Sequence, residues 1–393
     1  MSTKGTNTKS TRTNSTSTNG TATTSRRVVI KIGTSTLTDE QGHIDSAYID
    51  DLARQVSVLR SMDCEVMVVS SGAIIAGLEA LNMPPNRPDD IPTLQAAAAI
   101  GQVELSKQYS QAFAPFGLRV AQVLLTRNDT SNREAYLHAR DTLQRLLELG
   151  IIAVINENDT VAVDEIRFGD NDTLAAQVAI LTAADLVILL SDIEGLYSTD
   201  PRVDEDAELI RHIAGFTEEI VAAAGCEGSS KGSGGMVTKL EAARQLMAAG
   251  IPMVICEGHY KDVVIEVVSG TPLGTRFTSE HGAQVKARKL WNALSGNVKG
   301  SVHVDDGAVK ALRERGGSLL SVGIIKVEGD FLKGNIIDIR SMNGFLIGRG
   351  ISHHDAEIVV RMMGRSSEEL INSGLLDEQA RCEVVHRDEM VIF

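Results

Sequence analysis

Val28-Val29-Ile30-Lys31-Ile32-Gly33-Thr34-Ser35 places a lysine inside a continuously apolar run and then opens into a turn of small residues. A β-branched run of this length reads as a strand buried on both faces, the kind from which parallel sheets are built. Lysine is rarely set in such a run unless its ammonium is paired, so Lys31 puts a cation at the ligand end of a sheet. The plainer alternative is an edge lysine whose head snorkels to water. Two further stretches end apolar runs in a similar way: Ile155-Asn156-Glu157-Asn158-Asp159, and Ser233-Gly234-Gly235-Met236-Val237-Thr238-Lys239. The last delivers a second lysine into a helix through a glycine-rich turn, an arrangement suited to phosphates held by backbone N–H groups and two cationic side chains. Neither lysine fits the Walker A pattern, which needs Lys directly after Gly; Lys239 follows Thr238. The small residues Gly232 to Gly235 cost chain entropy to order and let a ligand approach the backbone; a plain flexible loop is the other reading.

Outward from Lys31, short β-branched runs alternate with helical patterns as far as about Phe277. Strands are expected at Val28–Gly33, Glu65–Ser70, Arg119–Leu124, Ile151–Ile155, Asp185–Leu190 and Ile251–Cys256. Helices are expected at Ser46–Met62, Thr93–Phe113, Arg133–Leu149, Thr173–Ala183 and Met236–Ala249. The fold class is therefore α/β, a mostly parallel sheet with helices on both faces. Ligands of such sheets bind beyond the carboxyl ends of the strands. Gly33-Thr34-Ser35, Ser70-Ser71-Gly72, Asn156 to Asp159 and Ser191-Asp192 all begin there, which argues for a single site. Val161–Phe168 alternates like a hairpin, and Gly169 ends it. A helix cap explains one or two of Asp170, Asn171 and Asp172, not three in a row.

After Phe277 the texture changes. A polar linker, 281–296, holds the single tryptophan, Trp291. Short strands broken by glycine follow at Gly300–Val304, Gly323–Glu328, Asn335–Arg340, Phe345–Ile351 and Val384–Phe393. The expected division is a disordered tail over 1–25, an α/β domain over 26–280, the linker, and a small mainly β domain over 297–393. The tail is rich in Ser, Thr and Asn, has no acidic residue, and lacks the apolar face of a signal or transit peptide.

Bulk composition excludes some functions. The net charge of −14 argues against a general binder of nucleic acid or acidic membrane. Uninterrupted apolar stretches are strand-sized, short of the ~18 residues of a membrane helix. The cysteines, Cys64, Cys226, Cys256 and Cys382, form no CxxC pair, and a reducing cytoplasm is the simplest setting. Adjacent His353 and His354 would point to opposite faces of a strand, against a metal site there. No HExxH or Ser-His-Asp pattern supports hydrolysis.

Lys31-Ile-Gly-Thr-Ser, Ser70-Ser-Gly-Ala-Ile, Leu124-Leu-Thr-Arg, Asn156-Glu-Asn-Asp, Gly169-Asp-Asn-Asp, Ser191-Asp-Ile-Glu-Gly-Leu-Tyr and Ser233-Gly-Gly-Met-Val-Thr-Lys together resemble the amino-acid kinase family, and within it the glutamate 5-kinases. The segment from Gly300 resembles the PUA module found at the end of many of them. The resemblance implies transfer of phosphate from ATP, with Mg²⁺, to the γ-carboxylate of L-glutamate, the first step of proline biosynthesis. It implies that Lys31 and Lys239 neutralise ATP phosphates while Asp172 holds them in place. Ser71, Asp159 and Asn171, with Gly72 and Asn156 nearby, would bind glutamate. Lys31, Ser191, Asp192, Ser233, Gly234, Gly235, Met236, Val237, Thr238 and Lys239 would contact nucleotide. No protein ligand to Mg²⁺ is named. Further implications are inhibition by L-proline, a homo-oligomer (dimer or tetramer), and hand-over to a glutamyl-phosphate reductase. A family kinase acting on acetylglutamate, aspartate or UMP stays open, as does an RNA-binding or scaffold protein acting through the PUA module. Against the latter, residues 297–393 hold 12 Lys/Arg and 15 Asp/Glu, a net of −3.

Overall fold

The computed structural model describes residues 26–83, 88–126, 129, 132–161, 171–201, 203–217, 220, 235–279, 298–375 and 382–393. The expected tail, the linker with Trp291, most of the hairpin ending at Gly169, and Asp170, Ser233 and Gly234 lie outside the described residues.

Eight strands form the first sheet: β1 (Arg26–Ile32), β2 (Cys64–Val69), β3 (Val120–Leu125), β4 (Ile152–Glu157), β5 (Leu186–Ser191), β6 (His212–Ile213), β7 (Met253–Glu257) and β8 (Thr275–Phe277). Their order is β3-β4-β2-β1-β5-β7-β8-β6. The six longer strands are parallel, and β8 turns antiparallel against β7. The six runs expected from sequence are these six strands, each displaced by two residues or fewer at its ends. Two- and three-residue strands such as β6 and β8 carry no periodicity from which to be read.

Both faces of the central strands are covered, which is why those strands are predominantly apolar. Along β1, Val28, Ile30 and Ile32 face one core with Ile49, Leu52, Val56 and Leu105. Val29 faces the other, with Leu174, Val178, Leu240 and Leu246. The helices Ala73–Ala80 and Ile91–Phe113 meet backbone to backbone, because a Cβ on Gly77 would lie 1.8 Å from the Ala97 carbonyl oxygen and one on Gly101 1.8 Å from that of Ala73. Cys64 and Cys256 are buried, and burial pushes the Cys256 thiol up to about 12, so both serve as small core residues.

The C-terminal segment forms a second sheet, β11-β9-β12-β13-β15, and a small pair, β10-β14. Its strands are β9 (Val298–Val304), β10 (Leu319–Leu320), β11 (Ile324–Gly329), β12 (Ile336–Ser341), β13 (Leu346–Ile351), β14 (Glu383–Val385) and β15 (Met390–Ile392). The single final strand expected at Val384–Phe393 is instead β14 and β15, separated by the 3-10 turn Arg387–Glu389. Three helices, Asp306–Arg315, Ala356–Met362 and Ser367–Asn372, were not expected. They are short, and their apolar positions are too few to show a 3.6-residue period. His353 and His354 follow β13 in a bend rather than lying in a strand. His353 Nε2 pairs with Glu389 Oε2 at 2.5 Å, and no group of three potential metal ligands gathers among the described residues.

This second unit docks on the first. Arg349 reaches Glu241 at 3.1 Å and Asp338 at 2.8 Å. Arg244 donates to the Leu346 carbonyl and lies over the rings of Phe216, Phe345 and Phe393. Val391 packs on Ile180, Ala248 and Ala249.

Candidate active site

Four neighbouring strands, β4, β2, β1 and β5, present their carboxyl ends side by side. Asn156 and Glu157 end β4, Ser70 and Ser71 follow β2, Gly33 follows β1, and Ser191 ends β5. The Gly33 N–H donates to the Leu190 carbonyl, tying the β1 turn to β5 at 3.2 Å. Three helices that start at Thr34, Ala73 and Met236 begin on Gly33, Gly72 and Gly235 and have no side-chain cap. By contrast, Asp45, Asp90 and Asn132 cap the helices at Ser46, Ile91 and Arg133. An uncapped first turn leaves N–H groups for an anion. Gly72 has φ +91°, and a Cβ there would meet Leu37 Cδ2 at 2.9 Å, so glycine is required on both counts.

On the β1 side the site is ionic. Alternation puts Lys31 on the face of Val29, the face covered by the helices Asn171–Thr182 and Met236–Ala249. Its Nζ meets Asp172 Oδ1 at 2.5 Å, and Lys239 Nζ meets Asp172 Oδ2 at 3.2 Å. Thr238 donates to the same oxygen at 3.0 Å. All three charges are buried, and the Asp172 side chain is wholly inaccessible. Burial alone would raise the Asp172 carboxyl. The charges of Lys31 and Lys239, with hydrogen bonds from Lys31 and Thr238, outweigh it and hold the group below the usual carboxylate range. Two ammonium groups and one carboxylate leave a single positive charge, a fit for a polyanion. Asp172 faces inward to the lysines and Thr238, so its donor set suits holding cations of the protein rather than a metal ion.

On the β4 and β2 side the site is neutral. Asn171 Nδ2 lies 2.7 Å from the Ser70 carbonyl, 2.9 Å from Asn156 Oδ1 and 3.1 Å from Ser71 Oγ. Asn156 Nδ2 in turn donates to Gln102 Oε1 at 2.9 Å. Ser70 Oγ shares a hydrogen bond with the hydroxyl of fully buried Tyr109 at 2.9 Å, and burial raises that phenol, keeping it neutral. Adjacent residues of one helical turn thus face two kinds of chemistry: Asn171 turns to the amide cluster, Asp172 to the lysines.

The structure brings together Lys31, Lys239, Asp172 and Thr238 in one cluster, and Ser71, Asn156 and Asn171 in another. Asp159 is half-buried in the turn after β4. Ser191 is buried and donates to exposed Asp192 at 3.1 Å. Met236 and Val237 stand in the first turn of the Lys239 helix. Gln102 and Tyr109 escape sequence reasoning, because the helix has many polar residues and only the fold shows that these two lie on its otherwise apolar buried face.

The amino acid kinase family matches residues 26–257 and the PUA domain matches residues 300–373. A glutamate 5-kinase from Citrifermentans bemidjiense is 43% identical over 367 residues, covering 93% of this chain and 97% of that relative. The chain belongs to the amino acid kinase family, in its glutamate 5-kinase branch. A glutamate 5-kinase from Shewanella pealeana is 44% identical over 368 residues, with 93% and 98% covered. Among solved structures, a carbamate kinase from Giardia lamblia aligns with TM-score 0.48 at 16% identity over 65% of this chain and 99% of its own. A UMP kinase from Ureaplasma parvum aligns with TM-score 0.46 at 16% identity over 65% and 99%.

Proposed function

We propose that the chain transfers the γ-phosphoryl group of ATP to the γ-carboxylate of L-glutamate, giving ADP and L-glutamyl 5-phosphate, the first step of proline biosynthesis. The observation that carries this reading is the division at Asn171 and Asp172, which sets a neutral amide cluster beside a buried ionic one. A γ-carboxylate of pKa about 4.3 is ionised at neutral pH and needs no general base, which suits a site built from amides and lysines. One carboxylate oxygen forms the new bond to phosphorus as the bond from phosphorus to the bridging oxygen of ADP breaks. The obstacle is repulsion between anions. Lys31 and Lys239 offset it and stabilise charge spread over the transferring group, while Asp172 keeps both ammonium groups in register.

Ser71, Asn171 and Asp159 would hold the amino-acid head of glutamate, with Asn156 and Gly72 supporting them. Ser191, Asp192 and the turn from Ser233 to Lys239 would hold nucleotide. Mg²⁺, when bound with ATP, supplies further positive charge to the phosphates and would rest mainly on the phosphate oxygens. Inhibition by L-proline, assembly as a homo-oligomer, hand-over to a glutamyl-phosphate reductase and a cytoplasmic setting belong to the same proposal. So does the division into a kinase domain over 26–280 and a PUA-like domain over 297–393. Among the described residues, no helix is long and apolar enough to cross a membrane.

The test is ADP release, with hydroxylamine trapping of the acyl phosphate, across L-glutamate, N-acetylglutamate, aspartate and UMP. Turnover confined to L-glutamate is expected. Turnover with one of the others and none with glutamate would overturn the reading.

A further inference from the structure

We infer that Gln102 is a positioning residue for the acceptor, holding in place the Asn156 amide against which Asn171 is set, in the direction that two backbone groups dictate; this rests on the glutamate kinase reading above. A side-chain amide has a donor end and an acceptor end, and its direction follows from the partners that cannot be reversed. Two such partners are backbone groups here. The Glu157 N–H can only donate, and it donates to Asn156 Oδ1 at 2.9 Å. The Ser70 carbonyl can only accept, and it accepts from Asn171 Nδ2 at 2.7 Å. Asn156 therefore turns Nδ2 toward Gln102 Oε1, and Asn171 turns Nδ2 toward Asn156 Oδ1, each at 2.9 Å.

Two consequences reach the acceptor site. Asn171 Nδ2 is the end turned to Asn156, Ser70 and Ser71, which leaves Oδ1 as the end of that amide able to accept from an ammonium. The two protons of Asn171 Nδ2 are matched by the nearer Ser70 carbonyl and Asn156 Oδ1, so Ser71 Oγ at 3.1 Å shares one of them at most; an amide nitrogen accepts nothing, so the Ser71 proton points elsewhere, open to a carboxylate. An amino-acid head offers one ammonium and one carboxylate. Gln102 touches neither in this scheme. It satisfies Asn156 Nδ2 at a place only 2% exposed, where water cannot substitute freely. Its own position is fixed by the preceding residue, since Gly101 packs so closely on the Ala73–Ala80 helix that a Cβ would lie 2.3 Å from the Gly77 nitrogen.

The experiment is steady-state kinetics of the full-length chain with L-glutamate, with glutarate, which lacks the ammonium, and with ATP. Gln102→Met, similar in length but without an acceptor, should raise the glutamate KM about ten-fold or more, since a buried amide loses its partner. Its kcat and ATP KM should stay within about three-fold, and its preference for glutamate over glutarate should fall. Gln102→Glu keeps an acceptor for Asn156 and should stay within about three-fold of wild type. Equal damage from both substitutions would mean that Gln102 contacts substrate directly and would overturn the positioning role. So would a Gln102→Met protein with unchanged glutamate KM, or one in which the ATP KM rises equally. If Gln102→Met loses its native circular dichroism, Gln102→Asn carries the test, because it falls one methylene short of Asn156; an unchanged glutamate KM there again overturns the role. A wild-type chain that uses another acceptor but not glutamate would sink the functional reading instead, and the Met/Glu contrast is then read on that acceptor.

Discussion

The two halves of the site solve opposite problems with neighbouring residues of one helix. At Asp172 the protein buries three charges whose attraction offsets their desolvation and which leave one positive charge in surplus. At Asn171 it buries amides and hydroxyls, whose value lies in direction rather than charge. In the proposed mechanism the ionic half acts on the transition state, where charge moves, and the amide half on which acceptor enters. Damage to each half should therefore appear in different kinetic constants.

The largest effect is expected from the ionic half. Lys31→Ala and Lys239→Ala should each lower kcat by about 100-fold or more, corresponding to ~3 kcal/mol of lost transition-state stabilisation. Circular dichroism melting checks that each variant is folded, and near-normal turnover in a folded variant would remove that lysine from the mechanism. Next comes the acceptor half. Asp159→Ala should raise the glutamate KM about ten-fold with ATP binding nearly intact, as expected for about 1.4 kcal/mol of substrate binding. A collapse of nucleotide affinity with an unchanged glutamate KM would exchange the roles of the two halves.

A smaller effect is expected outside both halves. A chain ending near Asn297 should keep glutamate-dependent turnover, because the clustered side chains all precede Phe277. It also loses Arg349 from Glu241 and Val391 from Ile180, Ala248 and Ala249, so it should melt about 5 °C lower. Those contacts lie on the very helices that carry Asp172 and Lys239, a route by which the second unit would bias the proposed proline inhibition or assembly. Inhibition and molecular mass are compared with the full chain. A folded, ATP-binding truncation that cannot phosphorylate glutamate would show that the second unit completes the site.

The last effect concerns acid. The Asp172 carboxyl is held below its unfolded value near 3.9, so its contribution to stability is full above that pH and fades as the pH falls through the lowered folded value. Asp172→Asn should therefore be destabilised relative to wild type at pH 7, and the gap in melting temperature should narrow below about pH 4. A constant gap across that range would mean that Asp172 is not the group lost.

How much could be read in advance varies with the signal. Lys31 and the glycine turn before Lys239 were legible because a cation in an apolar strand and a run of glycines each break a local rule. Gln102 was not, since it is one of four glutamines in its helix with nothing local to single it out, and only its buried contact with Asn156 gives it a role. The short helices of the C-terminal unit and the break before Met390 were missed for a similar reason, because elements of three to ten residues are fixed by neighbours more than by their own period.

By itself, then, the sequence determined the alternation of buried strands and helices, the strand ends at which polar residues gather, and the family those motifs resemble. These are local or periodic properties, written in residues close along the chain. Tertiary structure alone decided that Lys31 shares a face with the helix bearing Asp172, that Asn171 and Asp172 divide the site between amides and ions, and that Arg244 and Arg349 bind the second unit to the Lys239 helix. Such pairings join residues up to a hundred or more positions apart, and their energies depend on burial and direction, which no stretch of sequence contains.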